Sequence, residues 1–215
     1  VFANLTSRYA TAIYSEGNKL TVLNSKFINL FANATAGAIG TKEIKSLTID
    51  GCSFINVSSS KDAGAVYVDI NAGLMGKEYE ATVNCSSTVS KTLFENCSSN
   101  FGGAYLQLGG KLNLIESNFT NNTAEYTGGA VYISDAIPLI GNCKFNKNTA
   151  KYLYGGALYI DDSNSRITQC SFMYNHAGTF GEAIYLHDTK YEIKNSQFSM
   201  GEKETIVSLF DKAGS

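Results

Sequence analysis

Two series of residues recur along this chain at nearly the same interval, and together they limit the fold more than any other feature. Phe stands at Phe2, Phe27, Phe54, Phe94, Phe119, Phe145, Phe172 and Phe198, at intervals of 25, 27, 40, 25, 26, 27 and 26 residues. Ala stands at Ala12, Ala38, Ala65, Ala104, Ala130, Ala157 and Ala183, at intervals of 26, 27, 39, 26, 27 and 26. Both series lengthen once, in the same interval and by about the same amount. A single insertion at about 70–88, around "NAGLMGKEYEATVNCSS", accounts for the break. A unit of roughly 26 residues built from short strands cannot bury an apolar face alone, so it must stack on copies of itself.

Alignment on the Phe produces columns of like residues. Five places before it stand Val22, Ile49, Val89, Leu114, Ile140, Ile167 and Ile193, all aliphatic. Two places before it stand Ser25, Cys52, Thr92, Ser117, Cys143, Cys170 and Ser196, all small. Three places after it stand Leu5, Leu30, Val57, Cys97, Asn122, Asn148 and Asn175. The residue following each Ala is Ile13, Ile39, Val66, Tyr105, Val131, Leu158 or Ile184. Apolar runs this short, with Gly-Gly between them, are strands and turns. Stacked as parallel strands about 4.8 Å apart, they place Phe over Phe, Ile over Val and Cys over Ser. The expected fold is all-β: a right-handed parallel β-helix (a solenoid) of about seven to eight coils, one domain over 1–215. Gly-Gly is then a corner that needs unusual backbone angles, and the neighbouring Ala is where the wall leaves no room. A leucine-rich repeat has a similar period, but its closely spaced leucines do not occur here.

Composition agrees and removes several classes of function. Gly and Asn number twenty each, Pro138 is the single proline and there is no Trp, a profile of many short strands joined by turns. The net charge of −2 comes without a basic block, so no nucleic-acid or anionic-membrane surface is expected. No apolar run approaches the roughly 18 residues of a membrane span. The opening "VFANLTSRYA" does not read as a signal peptide.

The pairing of "FTNN", "FNKN" and "FMYN" with "GGAVY", "GGALY" and "GEAIY" resembles the repeat of chlamydial polymorphic membrane proteins. Similar repeats occur in large surface proteins of eukaryotic microbes with pectin-lyase-like folds. The likeness covers nearly the whole chain. Early coils depart from it, since "AGAIG" and "AGAVY" lack the first Gly, and "FINL" and "FINV" lack the later Asn. What the resemblance implies is a secreted or surface-displayed β-helix, often adhesive.

The asparagines fall into two kinds. Seven Asn-x-Ser/Thr sequons occur, at Asn4, Asn33, Asn56, Asn84, Asn96, Asn118 and Asn121. Chance in so Asn-, Ser- and Thr-rich a chain gives about four, so position says more than number. Asn4, Asn56, Asn96 and Asn121 all sit two places after the repeat Phe, in a column shared with Asn29, Lys147 and Tyr174 that reads as outward. These are candidate N-glycan attachment points; the alternative is an unmodified bacterial surface protein. Asn122, Asn148 and Asn175, one place further on, are expected to face inward and form a structural ladder, each carboxamide bonding the ones above and below.

Cys52, Cys143 and Cys170 share the small inward column, where thiols behave as modest hydrophobes and stacked neighbours point the same way instead of at each other. Cys85 and Cys97 remain, both in "NCSS", as a pair able to clip the insertion to the wall by a disulfide. Without Cys-x-x-Cys spacing and with only two His, no zinc site is expected.

Chemistry on the wall is the rival reading. Asp135, Asp162 and Asp188 stand five places after the repeat Ala on three consecutive coils, beside Asp161 and His187, with Asp69 in the equivalent place earlier. Stacked carboxylates can bind structural calcium or a sugar, or act as acid and base on a polysaccharide. Tyr132, Tyr159 and Tyr185, in a column with Tyr14 and Tyr67, can stack on sugar rings, meet another molecule, or simply stack on themselves. Each Asp, however, ends a strand where Asp serves the turn. Arg8 and Arg166 are the only arginines, so no repeated Arg is present as the base of a lyase. We therefore expect no catalytic site, no cofactor beyond N-linked glycans, and a structural or adhesive protein at the cell surface or outside the cell. The alternative is a polysaccharide-binding or -cleaving enzyme on the same scaffold. Neither end carries an amphipathic cap helix, which suggests a segment of a longer solenoid or a subunit joined end to end in a fibre. Expected partners are flanking coils or other copies of the chain, a carbohydrate, or a host or cell-surface protein.

Overall fold

The computed structural model describes residues 1–70, 84–199 and 206–210. Among these residues every regular element is a strand, and there is no helix. The strands form two 13-stranded sheets in which every pairing is parallel, wound as a β-solenoid of about seven turns. The register runs Phe2, Phe27, Phe54, Phe94, Phe119, Phe145, Phe172, Phe198 without a slip. Adjacent Phe rings stack with centroids 4.6–5.0 Å apart and planes within 10° of parallel. Phe27 through Phe172 are wholly buried, and each adds about 1.5–3 kcal/mol of apolar burial, with ring stacking beyond that.

The aliphatic column from Val22 to Ile193 is likewise continuous. The two columns meet in one apolar core running the length of the solenoid. The expected insertion falls largely on 71–83, outside the described residues. On either side of it the wall is regular: Val66–Asp69 pairs with Tyr105–Leu108, and Ser86–Ser90 pairs with Ser46–Asp50.

Up to four left-handed bends per coil turn the strands around this core. The residue three places before each Phe, from Asn24 to Asn195, has φ between 48° and 62°. The residue two places after it, from Asn4 to Tyr174, has φ between 53° and 56°. The other two bends lie two places before the repeat Ala (Ala36, Ala63, Gly102, Gly128, Gly155, Gly181) and five places after it (Gly17, Glu43, Gly109, Asp135, Asp162, Asp188). Asn, Asp and Gly accept this conformation at least cost, which explains their abundance. Ala36, Ala63, Lys147 and Tyr174 adopt it too, because the hydrogen-bonded rungs above and below impose it.

The Gly-Gly corner divides its tasks between its two residues. Only the first Gly is left-handed. The second is excluded from bearing a side chain by contact: a Cβ on Gly129 would lie 2.0 Å from the Gly156 carbonyl oxygen, and one on Gly64 1.9 Å from that of Gly103.

Candidate functional site

The bend after the Phe carries two asparagine columns back to back. The inner one is buried at Asn122, Asn148 and Asn175. Each amide nitrogen donates to the next Asn Oδ1 at 3.0 Å (Asn122 to Asn148, Asn148 to Asn175). The same nitrogens of Asn122, Asn148 and Asn175 also donate to the carbonyls of Phe94, Phe119 and Phe145 at 3.0–3.1 Å. Each Oδ1 accepts a main-chain N–H from the preceding coil: Cys97, Asn122 and Asn148 donate at 2.9–3.0 Å. The side chain thus takes main-chain groups that the bend removes from the ladder. Where the column holds Leu30 and Val57, the strands Lys26–Ala32 and Ser53–Ser59 continue through the same place. Leu5, on the first rung, is 40% exposed.

The outer column is exposed and builds a second, shorter ladder. Asn29 donates to Asn4 at 3.1 Å, Asn56 to Asn29 at 3.1 Å and Asn96 to Asn56 at 3.3 Å. All seven sequon asparagines are exposed, Asn33, Asn84 and Asn118 included. The left-handed backbone of Asn4, Asn56, Asn96 and Asn121 gives Asn a conformational reason to stand there. Lys147 and Tyr174 marked this column as outward in the sequence, and the structure adds that it is also a left-handed bend.

The thiols do not follow the expected pairing. All five cysteines are free, so Cys85 and Cys97 are not joined. Cys97 takes its turn in the inner column below Asn122, with its sulfur 3.6 Å from the carbonyl oxygens of Phe54 and Glu95. Cys85 instead leads into Ser86–Ser90 on the other sheet, its carbonyl accepting the Lys111 N–H. Burial pushes the Cys97 thiol up to about 12. Cys52, Cys143 and Cys170 lie in a hydroxyl and thiol ladder: the Cys52 N–H donates to Thr92 Oγ1 at 3.4 Å, and Thr92 N–H to Ser117 Oγ at 3.2 Å.

The acidic residues are divided between two columns. Asp135, Asp162 and Asp188 occupy a left-handed bend. Asp161 belongs to the preceding column, in register with Ser134 and His187. His187 links the two: its Nδ1 lies 2.5 Å from Asp161 Oδ1 and 3.8 Å from Asp188 Oδ2, and its ring stacks on Phe210 at 5.3 Å. Asp135 accepts from the Ser134 hydroxyl at 3.1 Å. Among the described residues, no group of three or more His, Cys, Asp and Glu side chains is placed to hold a metal ion.

The tyrosine column is the remaining surface feature. Its register is Tyr14, Gly40, Tyr67, Leu106, Tyr132, Tyr159, Tyr185. Tyr132 and Tyr159 stack at 5.0 Å, Tyr159 and Tyr185 at 5.6 Å, and Tyr154 packs on Tyr185 at 4.4 Å. In this stretch the ring faces cover one another, and Tyr185 is buried. Burial, with Asp161 and Asp135 nearby, pushes the Tyr132 phenol up to about 12. Around the Gly-Gly bend, Tyr126, Tyr152 and Phe180 stand exposed.

No protein-family model, curated protein or solved structure matches this chain.

Proposed function

We propose that this chain is a structural or adhesive extracellular β-solenoid, N-glycosylated and displayed as part of a surface protein or fibre. The observation that carries the reading is the pair of asparagine columns. The inner amides are consumed by the scaffold, while sequon asparagines occupy the outer column on consecutive rungs at Asn56, Asn96 and Asn121 and are exposed. A glycosylated amide keeps one N–H, so glycans on this column are compatible with the outer Asn ladder. The resemblance of the FxxN and GGA repeats to chlamydial polymorphic membrane proteins and pectin-lyase-like surface proteins supports the same reading. So does the exposed aromatic edge at Tyr126, Tyr152 and Phe180, since surface aromatics of this size favour contact with another molecule.

On this reading the Asp135, Asp162 and Asp188 column shapes a turn and has no catalytic task. The test has two arms. Intact-mass measurement of protein from a glycosylating host, before and after an N-glycan amidase, should show a loss of several glycan masses. Beads coated with the chain should adhere to cells or matrix that uncoated beads ignore. A mass equal to that of the bare polypeptide together with no adhesion would sink the proposal.

A further inference from the structure

The pattern Phe-x-Asn-x-Ser/Thr occurs at Asn4, Asn33, Asn56, Asn96 and Asn121. At four of these the Phe belongs to the core stack: Phe54, Phe94 and Phe119 are wholly buried, and Phe2 stacks on Phe27. A left-handed bend at each of those four asparagines turns the Asn outward while its Phe stays inside. Asn33 differs. Its backbone is not left-handed and it follows directly on the strand Lys26–Ala32, so strand alternation puts it on the same side as Phe31, about 6.6 Å along the chain. Phe31 is 40% exposed, Ala32 is buried and Asn33 is exposed, as that alternation requires. The neighbours of Phe31 in register are Thr6 and Ser58, in place of rings. Phe31 and Asn33 line one cleft of about 530 Å³, together with Thr6, Ser7 and Arg8.

We infer that the first N-acetylglucosamine of a glycan on Asn33 lies in this cleft against the Phe31 ring, which makes this glycan part of the folded structure. Its attachment exchanges one hydrogen of the Asn33 amide nitrogen for the anomeric carbon of the sugar, and the lipid pyrophosphate of the glycan donor leaves with the proton. The tether is short: sugar and ring start two residues apart on one face. The C–H face of the pyranose and the exposed ring are both apolar, and contact removes both from water. The Thr6 hydroxyl and the Arg8 guanidinium, which also line the cleft, supply donors for the N-acetyl oxygen. The volume falls within the roughly 300–1,000 Å³ of sites that hold small organic groups. At Asn56, Asn96 and Asn121 the Phe two places earlier is sealed in the core, so glycans there project without such a contact.

The proposal rests on the N-glycosylated reading and goes further at one site. The full chain is made in a glycosylating host, trimmed by an endoglycosidase to one N-acetylglucosamine per site, and mapped by glycopeptide mass spectrometry. Occupancy of Asn33 is expected. NMR of the trimmed glycoprotein should show cross-peaks between the Asn33 sugar and the Phe31 ring, with the sugar protons shifted upfield, and both signs should vanish in Phe31→Ala. Asn33→Gln should lower the Tm of the trimmed glycoprotein by about 2–4 °C. The same substitution should leave the Tm unchanged in protein from a host without N-glycosylation, and in a Phe31→Ala background. Asn118→Gln, whose sequon has Glu116 in place of the aromatic residue, should show no glycan-dependent difference. Three outcomes would each overturn the proposal and leave the glycoprotein reading standing: Asn33 bare while other sequons are occupied, an Asn33 sugar without contact to the ring, or a Tm loss that persists in the Phe31→Ala background. Bare asparagines at all seven sequons would overturn both.

Discussion

Replacing Asn148 by Leu isolates what the inner ladder contributes. Leu fits the column, since Leu30 holds the same place two rungs below Cys97, so the exchange changes hydrogen bonding more than packing. Asn148 takes part in four side-chain hydrogen bonds: it donates to Phe119 O and Asn175 Oδ1, and accepts from the Asn122 main-chain N–H and the Asn122 amide, all at 3.0 Å. Leu leaves the Asn122 main-chain N–H and one of the two Asn122 side-chain N–H groups buried without an acceptor, while the other side-chain N–H keeps the Phe94 carbonyl. At about 1–3 kcal/mol for each orphaned group, the loss is about 2–6 kcal/mol, reduced by about 1 kcal/mol of added apolar burial. A net destabilisation near 3 kcal/mol is expected in urea unfolding followed by far-UV circular dichroism. Hydrogen exchange at the Asn122 amide should rise in parallel. The outer column supplies the contrast: Asn121→Ala loses a left-handed preference at an exposed site and should cost about 1 kcal/mol or less. If Asn148→Leu stays within about 0.5 kcal/mol of the wild type, the ladder contributes nothing net and the reasoning fails.

Other outcomes follow from the same geometry. Gly129→Ala places a Cβ 2.0 Å from the Gly156 carbonyl oxygen and should abolish soluble folding, whereas Gly141→Ala, whose nearest contact is 3.6 Å, should express normally. Thiol titration with an aromatic disulfide reagent should detect about one reactive group in the native protein, half-buried Cys85, and all five after denaturation; two fewer after denaturation would mean a disulfide. Alkaline pH should weaken the fold. The buried Cys97 thiol is raised from 9.0 to about 12, so its neutral form favours the native state fully below pH 9, and that advantage is lost as pH rises towards 12. The slope is about 1.4 kcal/mol per pH unit for this group, and a Cys97→Val variant should flatten it. Glycopeptide mapping from a glycosylating host should find Asn96 the least occupied of Asn56, Asn96 and Asn121, because it has a sequon neighbour about 4.8 Å away on both sides. Full occupancy of all three would refute the crowding argument.

The stacking itself was legible from residue order alone. Phe at a fixed interval, aliphatics five places ahead and small residues two places ahead can share a wall only if each coil lies on the next. The Phe register runs through all eight positions on that basis. The inner run of Asn122, Asn148 and Asn175 was legible for the same reason, since a buried amide needs an identical neighbour. What periodicity could not state is backbone conformation. Column membership says that Asn4, Asn96, Lys147 and Tyr174 are equivalent, and only the folded chain reveals that what they share is a left-handed bend. Nor could it pair Cys85 with Cys97 or keep them apart, because their separation depends on which sheet each strand joins. The same limit applies to the tyrosines. One column of letters becomes a closed stack at Tyr132, Tyr159 and Tyr185 and leaves Tyr14 exposed, because ring faces are covered or exposed by neighbours distant in the chain. Sequence repetition determines which residues become vertical neighbours; the direction of each bend, and the surface left uncovered, are decided only when all rungs bond at once.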